Sequence, residues 1–243
     1  MFMVKILMTK EGRKFYAESG KDFHCQYGFV KAKDLRKKDG SKVISNTNKE
    51  FTIFTPGFID LYRRIKRGAQ IVSLKDIGQI IAITGIGKNS VVVDAGAGSG
   101  ALACFLAHLA KKVITYDIRD DFIEIVRKNK EFLSLKNLTI KNKNIYEGID
   151  EKNVDLITLD LPEPWMAIDS CEKALKPGGF LVSYSPSIPQ VTDFVNGIRK
   201  NKNFVYLKTM ELIQREWEVE ERRVRPMTQG IGHTGFLVFV RRV

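Results

Sequence analysis

The stretch Val91-Val92-Val93-Asp94-Ala95-Gly96-Ala97-Gly98-Ser99-Gly100-Ala101 decides the fold. A short apolar run, read as a buried strand, enters a glycine loop and leaves it as a helix. That context is what gives a glycine motif meaning. Glycines there permit positive φ or close backbone approach, so a ligand can lie against the loop. Outward from it, strand and helix signals alternate. Strands are expected at residues 90–94, 113–117, 138–141, 155–160 and 180–185, with helices at 75–83, 101–110, 120–133, 165–175 and 191–200. Repeated βα units imply an α/β fold whose sheet is mostly parallel, with right-handed crossovers and helices on both faces. Residues 204–213 and 235–241 read as strands with no long helix between them, which suits an antiparallel hairpin or pair at the sheet edge.

The loop admits two ligands. Gly96-x-Gly98-x-x-Ala101 satisfies the dinucleotide fingerprint, and Asp117, at 117 − 96 = 21 residues on, is the carboxylate expected for a ribose hydroxyl pair. Asp94 separates the readings. An acid at the end of the first strand would repel a pyrophosphate but suits a cationic ligand, such as the ammonium or sulfonium-bearing chain of S-adenosylmethionine. The plainer alternative is a turn or N-cap aspartate. On the loop alone, a methyltransferase is favoured over a nicotinamide oxidoreductase. Leu159-Asp160-Leu161-Pro162-Glu163-Pro164-Trp165 follows the fourth strand, at the edge where open α/β sheets bind their ligands. Its two prolines stiffen the loop, so Asp160 is presented in a fixed geometry with an aromatic beside it.

Charge divides the chain differently. Over 243 residues, Lys and Arg number 40 against 28 Asp and Glu, a net of +12. Residues 1–89 carry 18 − 8 = +10 and residues 90–243 carry 22 − 20 = +2. The basic third reads as β-rich, with short strands at 21–27, 28–30, 42–45 and 50–54, then a helix over 58–66 ending in Arg63, Arg64, Lys66 and Arg67. Such a cluster either complements the helix dipole or faces phosphate. The expected organisation is a small basic β module over 1–66 and a sheet domain over 67–243. Cys25, Cys104 and Cys171 are odd in number and widely spaced, which speaks against a disulfide framework or zinc knuckle. No apolar run approaches the roughly 20 residues of a membrane span, and no signal peptide is read, so a reducing, cytoplasmic setting without metal or membrane is expected.

Taken together, these motifs resemble the class I S-adenosylmethionine-dependent tRNA (adenine-N1)-methyltransferases, in particular the archaeal enzymes acting on T-loop adenines 57 and 58. The resemblance rests on residues 51–56 and 67–76, the 94–102 loop, Tyr116-Asp117-Ile118-Arg119, Asn144-Ile145-Tyr146-Glu147-Gly148, residues 160–165, Arg225-Pro226 and Gly232-His233-Thr234-Gly235-Phe236. It implies a Rossmann-like sheet with an antiparallel last strand and a homotetramer whose N-terminal module helps capture tRNA. It also implies that Gly96, Gly98, Ser99, Gly100, Ala101 and Leu102 hold the methionine part of the cofactor. Asp117 would hold the ribose, Asn144 and Ile145 the adenine, and Asp160 would stand between methyl donor and target base. Two positions depart from the family pattern: Ser73-Leu74 replaces an aromatic or histidine followed by proline, and Asn144 replaces an aspartate.

Adenine N1 keeps a lone pair at neutral pH and needs no strong base before attack, so alignment and electrostatics carry the reaction. A carboxylate accepting from the N6 amino group would stabilise the charge developing on the base, and Asp160 is the candidate. Because N1 lies on the pairing edge, the adenine must be unpaired and swung out. Trp165 is either a stacking partner or a core residue. His233 is either a pocket residue or a turn histidine with a backbone partner. Arg63, Arg64 and Arg67 are candidate phosphate contacts. A nicotinamide oxidoreductase, a non-catalytic RNA-binding subunit with this fold, and a DNA or protein methyltransferase remain as rivals.

Overall fold

Short strands in the N-terminal third build an antiparallel sheet. They are β1 (Val4–Met8), β2 (Lys14–Glu18), β3 (Phe23–Cys25), β4 (Gly28–Val30), β5 (Lys42–Ile44) and β6 (Glu50–Phe54), followed by a helix, α1 (Phe58–Tyr62). The sheet order is β2-β1-β6-β5, with β3 and β4 as a separate hairpin. Leu7, Leu35, Phe51 and Ile53 are fully buried at its centre, and the Phe15 ring stands edge-on to Phe51 at 5.9 Å. Two strands exceed the sequence expectation. β1 is paired on both sides and buries Ile6 and Leu7 in succession, which erases the period-two signal. Lys5 is drawn in beside them and reaches Asp39 at 2.6 Å.

The computed structural model describes residues 4–68 and 70–243, which divide into two compact units, Met1–Arg64 and Ile65–Val243. In the second unit the elements run α2 (Leu74–Thr84), β7 (Val91–Ala95), α3 (Ala101–Leu109), β8 (Lys112–Asp117), α4 (Asp120–Phe132), β9 (Leu138–Asn142) and β10 (Val154–Leu159). Then come α5 (Ile168–Ala174), β11 (Leu175–Ser185), α6 (Ile188–Lys200), β12 (Phe204–Glu211), β13 (Trp217–Glu220), β14 (Arg223–Pro226) and β15 (Phe236–Arg242). Seven strands form one sheet in the order β12-β15-β11-β10-β7-β8-β9. The pairs from β11 to β9 are parallel, and β15 is antiparallel to both its neighbours. This is the doubly wound sheet with an antiparallel last strand that the alternation predicts. Val93, Ile114, Ile157, Leu181 and Val238 are fully buried along its middle.

Two local expectations are corrected, and one stretch holds an additional hairpin. The helix expected over 58–66 stops at Tyr62, and Lys66 donates its N–H to Asn129 Oδ1 and accepts from Asn129 Nδ2 at its carbonyl instead of joining a further turn. The helix expected over 165–175 is a 3-10 turn, Pro164–Ala167, followed by α5; Pro164 lacks an N–H and so suits the first turn. The stretch between β12 and β15 holds the β13–β14 hairpin. One of its faces pairs Glu218 and Glu220 with Arg223 and Arg225, while Trp217, Val219 and Val224 on the other are more than half exposed. Among the described residues, no helix is long and apolar enough to cross a membrane.

The site follows from strand order. From β7 the chain winds outward through β8 and β9, then returns to place β10 on the opposite side of β7. The switch point therefore lies beyond the C-terminal ends of β7 and β10, where ligands bind in open α/β sheets.

Candidate active site

Gly96 and Asp160 are the first residues past those two strand ends. The Asp160 N–H donates to the Ala95 carbonyl at 2.9 Å, and the N–H groups of Gly96 and Ala97 both point at the Tyr116 carbonyl, at 3.1 and 3.3 Å. Gly96 has φ +83°, and a Cβ there would fall 1.9 Å from the Asp160 carbonyl oxygen. Only glycine fits so close a crossing of two main chains. Gly100, at φ +71°, begins α3. Ser99, Ala101 and Leu102 are buried behind the loop.

Asp94 lies deeper than a loop acid. In register it stands between Thr115 on β8 and Thr158 on β10, and its two carboxylate oxygens accept from those hydroxyls at 2.7 and 2.8 Å. Burial pushes its carboxyl up to about 6, with the two hydroxyls pulling the other way and the charge of Asp117 adding to the rise. Asp94 still lines the inner pocket, together with Asp160 and the loop.

Asp117 accepts from the Gly98 N–H at 3.0 Å on one oxygen and from the Arg119 N–H at 2.9 Å on the other. Each oxygen retains lone-pair capacity toward the cleft. Asn144 caps the 3-10 turn Ile145–Glu147, its Oδ1 accepting from the Tyr146 N–H at 3.1 Å. Ile145 is buried beneath it. Asp160 differs from the other acids: among the described residues nothing hydrogen-bonds its carboxyl and no cation pairs with it. Burial, with the charge of Asp94 behind it, pushes it up to about 7.

A cleft of about 490 Å³ collects Gly96, Gly98, Asp117, Asn144, Ile145 and Asp160. It also takes in residues to which the sequence reading gave no individual role. Ile118 is 66% exposed on its floor, Gln70 enters from before α2, and Arg119 lies over the Phe122 ring at 3.9 Å. An exposed apolar residue directly after a strand-ending acid was the available signal for Ile118. Among the described residues, no group of His, Cys, Asp and Glu could hold a metal ion.

Trp165, His233 and Arg67 do not line this cleft. Trp165 is half-buried and packs against the sheet core. His233 is exposed, and its ring nitrogens meet a Glu211 carboxylate oxygen at 2.6 Å and the Pro186 carbonyl at 3.0 Å, the arrangement of a turn histidine. Glu211 raises its pKa. Arg63, Arg64 and Arg67 are exposed, with the Arg64 guanidinium 4.3 Å from the Tyr16 ring.

Residues 60–225 match a family model described as the tRNA methyltransferase complex GCD14 subunit. The tRNA (adenine(57)-N(1)/adenine(58)-N(1))-methyltransferase TrmI of Methanocaldococcus jannaschii is 36% identical, covering 99% of this chain and 95% of that protein. The tRNA (adenine(58)-N(1))-methyltransferase TrmI of Thermus thermophilus is 30% identical, over 98% and 96%. Among solved structures, one described as a SAM-dependent O-methyltransferase from Thermotoga maritima superposes with a TM-score of 0.88 at 29% identity, covering 99% and 93%. The tRNA (m1A58) methyltransferase TrmI of Aquifex aeolicus superposes with a TM-score of 0.84 at 24% identity, over 99% and 96%, and supports the fold.

Proposed function

The chain belongs to the tRNA methyltransferase family that the GCD14-subunit model describes, and from that premise we propose that it transfers the methyl group of S-adenosylmethionine to N1 of adenine in the T-loop of tRNA, at positions 57/58. The observation that carries this reading is Asp160: an acid at the switch point, unpartnered among the described residues, beside a loop built for close ligand approach.

The donor set fits S-adenosylmethionine. Asp94, Asp117 and Asp160 make the surroundings of the loop acidic, and their ionised forms disfavour a pyrophosphate and are favoured by a cationic ligand. Asp117 suits a ribose diol, and Ile118 with Ile145 supplies an apolar slot for adenine. When bound, the cofactor supplies an electrophilic methyl on a cationic sulfur. Asp160 would accept a hydrogen bond from the N6 amino group of the target adenine and stabilise the positive charge that passes from sulfur to the ring as the N1–methyl bond forms and the sulfur–methyl bond breaks, its electron pair staying on the departing neutral thioether. Main-chain groups of the glycine loop hold the donor in line, which is the positional part of the rate gain. A second cleft of about 400 Å³, lined by Ser73, Lys75, Gln229 and Thr234, continues from the same segment that supplies Gln70, Ile71 and Val72 to the inner pocket, and offers room for the swung-out base.

Residues 1–66 serve as the tRNA-binding module and 67–243 as the methyltransferase domain; the +10 carried by residues 1–89 supports this division. The exposed apolar face of β13–β14 supports assembly with further copies of the chain, as the family resemblance implies for a homotetramer. Labelled methyl transfer to an unmodified tRNA transcript tests the function: label in adenine supports it, and absence of label from adenine contradicts it. The same assay distinguishes an oxygen acceptor, as the name of the Thermotoga neighbour describes for that protein.

A further inference from the structure

Asn129 is a buried amide that takes no part in the chemistry above. It lies on α4 with 1% of its surface exposed. Its Oδ1 accepts from the Lys66 N–H at 2.8 Å, and its Nδ2 donates to the carbonyls of Lys66 at 2.9 Å and Ser99 at 2.8 Å. One amide thereby treats Lys66 as a neighbouring strand would, using acceptor and donor together, and spends its second donor on the glycine loop. Two residues on, the Gly68 N–H donates to the Ser99 hydroxyl at 2.8 Å. Gly68 also presses on the same helix face, where a Cβ would come within 2.5 Å of Ile125 Cδ1 and 3.6 Å of the Phe122 ring. Phe122, Ile125 and Asn129 follow helical spacing and form one stripe.

What this stripe holds down matters for the cleft. Gln70, Ile71 and Val72 follow in the chain and line the inner pocket together with Asp94, Gly96 and Asp160. Among the described residues, those from 65 to 73 form no helix or strand, so such side-chain bonds are what hold them.

The geometry points to Asn129 as a positioning residue for the cofactor: it clamps residues 66–68 to the glycine loop, so that Gln70, Ile71 and Val72 stand as a ready wall for the methionine end of S-adenosylmethionine. This rests on the reading of the cleft as the site of that cofactor. An ordered wall spares the ligand the cost of ordering it on binding. Aspartate cannot replace the amide, because it keeps one acceptor bond and loses both donations.

The test compares the full-length protein with Asn129→Ala, Asn129→Asp and a control, Asn137→Ala. Asn137 also gives its amide to two carbonyls, those of Ala107 and Ala110, but does not touch the segment. Calorimetric affinity for S-adenosylmethionine, affinity for tRNA and hydrogen exchange of residues 65–73 are measured together. Both Asn129 variants are expected to bind the cofactor about tenfold more weakly, the loss of a buried hydrogen-bond partner. They should also exchange faster at 65–73 while keeping tRNA affinity within about twofold. Asn137→Ala is expected to lower the unfolding temperature without changing cofactor affinity. Unchanged cofactor affinity in a folded Asn129 variant overturns the inference, as does an equal loss in Asn137→Ala. Unfolding of both Asn129 variants also overturns it, since it marks a general core role. No cofactor binding by the unaltered protein overturns the reading of the site and this inference with it.

Discussion

A Cβ on Gly96 would stand 1.9 Å from the carbonyl oxygen of Asp160, so the glycine loop and the acid-bearing loop share one crossing. The two features that define the site are therefore a single packing unit. Gly96→Ala must move the Asp160 main chain and also adopt φ +83°, a conformation that costs about 1–3 kcal/mol in a non-glycine residue. Cofactor affinity measured by calorimetry is expected to fall at least about tenfold. Wild-type affinity would show that the crossing is not needed.

Asp160 provides the pH signature. Only its ionised form sets a negative charge against the charge gained by the adenine, and its carboxyl is pushed up to about 7, so kcat/KM should rise as pH passes through that value. Asp160→Asn should flatten the rise and lower kcat/KM by about 10²–10³. The linked stability effect has the opposite sense. A carboxyl that binds its proton more tightly when folded stabilises the protein at low pH and loses that contribution as pH rises through about 7. The ligand-free Asn variant should melt above the unaltered protein at about pH 8, with the gap narrowing toward about pH 4.

Asp94 acts within the sheet. Thr158→Val removes one of the two hydroxyls that hold its carboxylate and is expected to cost about 1–3 kcal/mol in urea unfolding, because the abandoned oxygen stays buried. A change under about 0.5 kcal/mol would mean that the hydroxyl is dispensable.

In the basic module, Arg36 and Lys38 are exposed beside the buried Leu35. If this unit meets phosphates, replacing either with alanine should weaken tRNA binding uniformly across sequences and reduce the slope of log affinity against log salt by about 1. An unchanged slope for both would place the RNA elsewhere.

Trp217→Ser with Val219→Ser should lower the assembly state seen by analytical ultracentrifugation while leaving cofactor affinity unaltered. Both residues lie on the uncovered apolar face of the hairpin. An unchanged sedimentation coefficient would separate this face from assembly.

Legibility in the sequence tracked the range of the interactions. Residues 91–101 carry strand, turn and helix signals within eleven positions, and Asp160 is announced by the prolines that follow it. The parallel direction of the strands follows from the repeated βα units, whereas their order in the sheet does not. Asn129 could not be found in this way: on α4 it reads as one more polar helix residue, and its partners lie 63 and 30 positions away. The depth of Asp94 was hidden for a similar reason. Its position at a strand end suggests a ligand-facing acid, whereas the flanking threonines arrive from strands that only the folded sheet brings alongside. In β13–β14, alternating charged and apolar residues mark two faces, but nothing local says that the apolar one stays uncovered.

Mapping the methylated nucleotide tests the central claim most directly. An unmodified tRNA transcript is incubated with the protein and methyl-labelled S-adenosylmethionine, then digested and sequenced by mass. The account predicts 1-methyladenine in the T-loop at 57/58, with Asp160→Asn reducing its yield by about 10²-fold or more while cofactor binding persists. Label on any other atom or outside the T-loop, or full activity in Asp160→Asn, would contradict it.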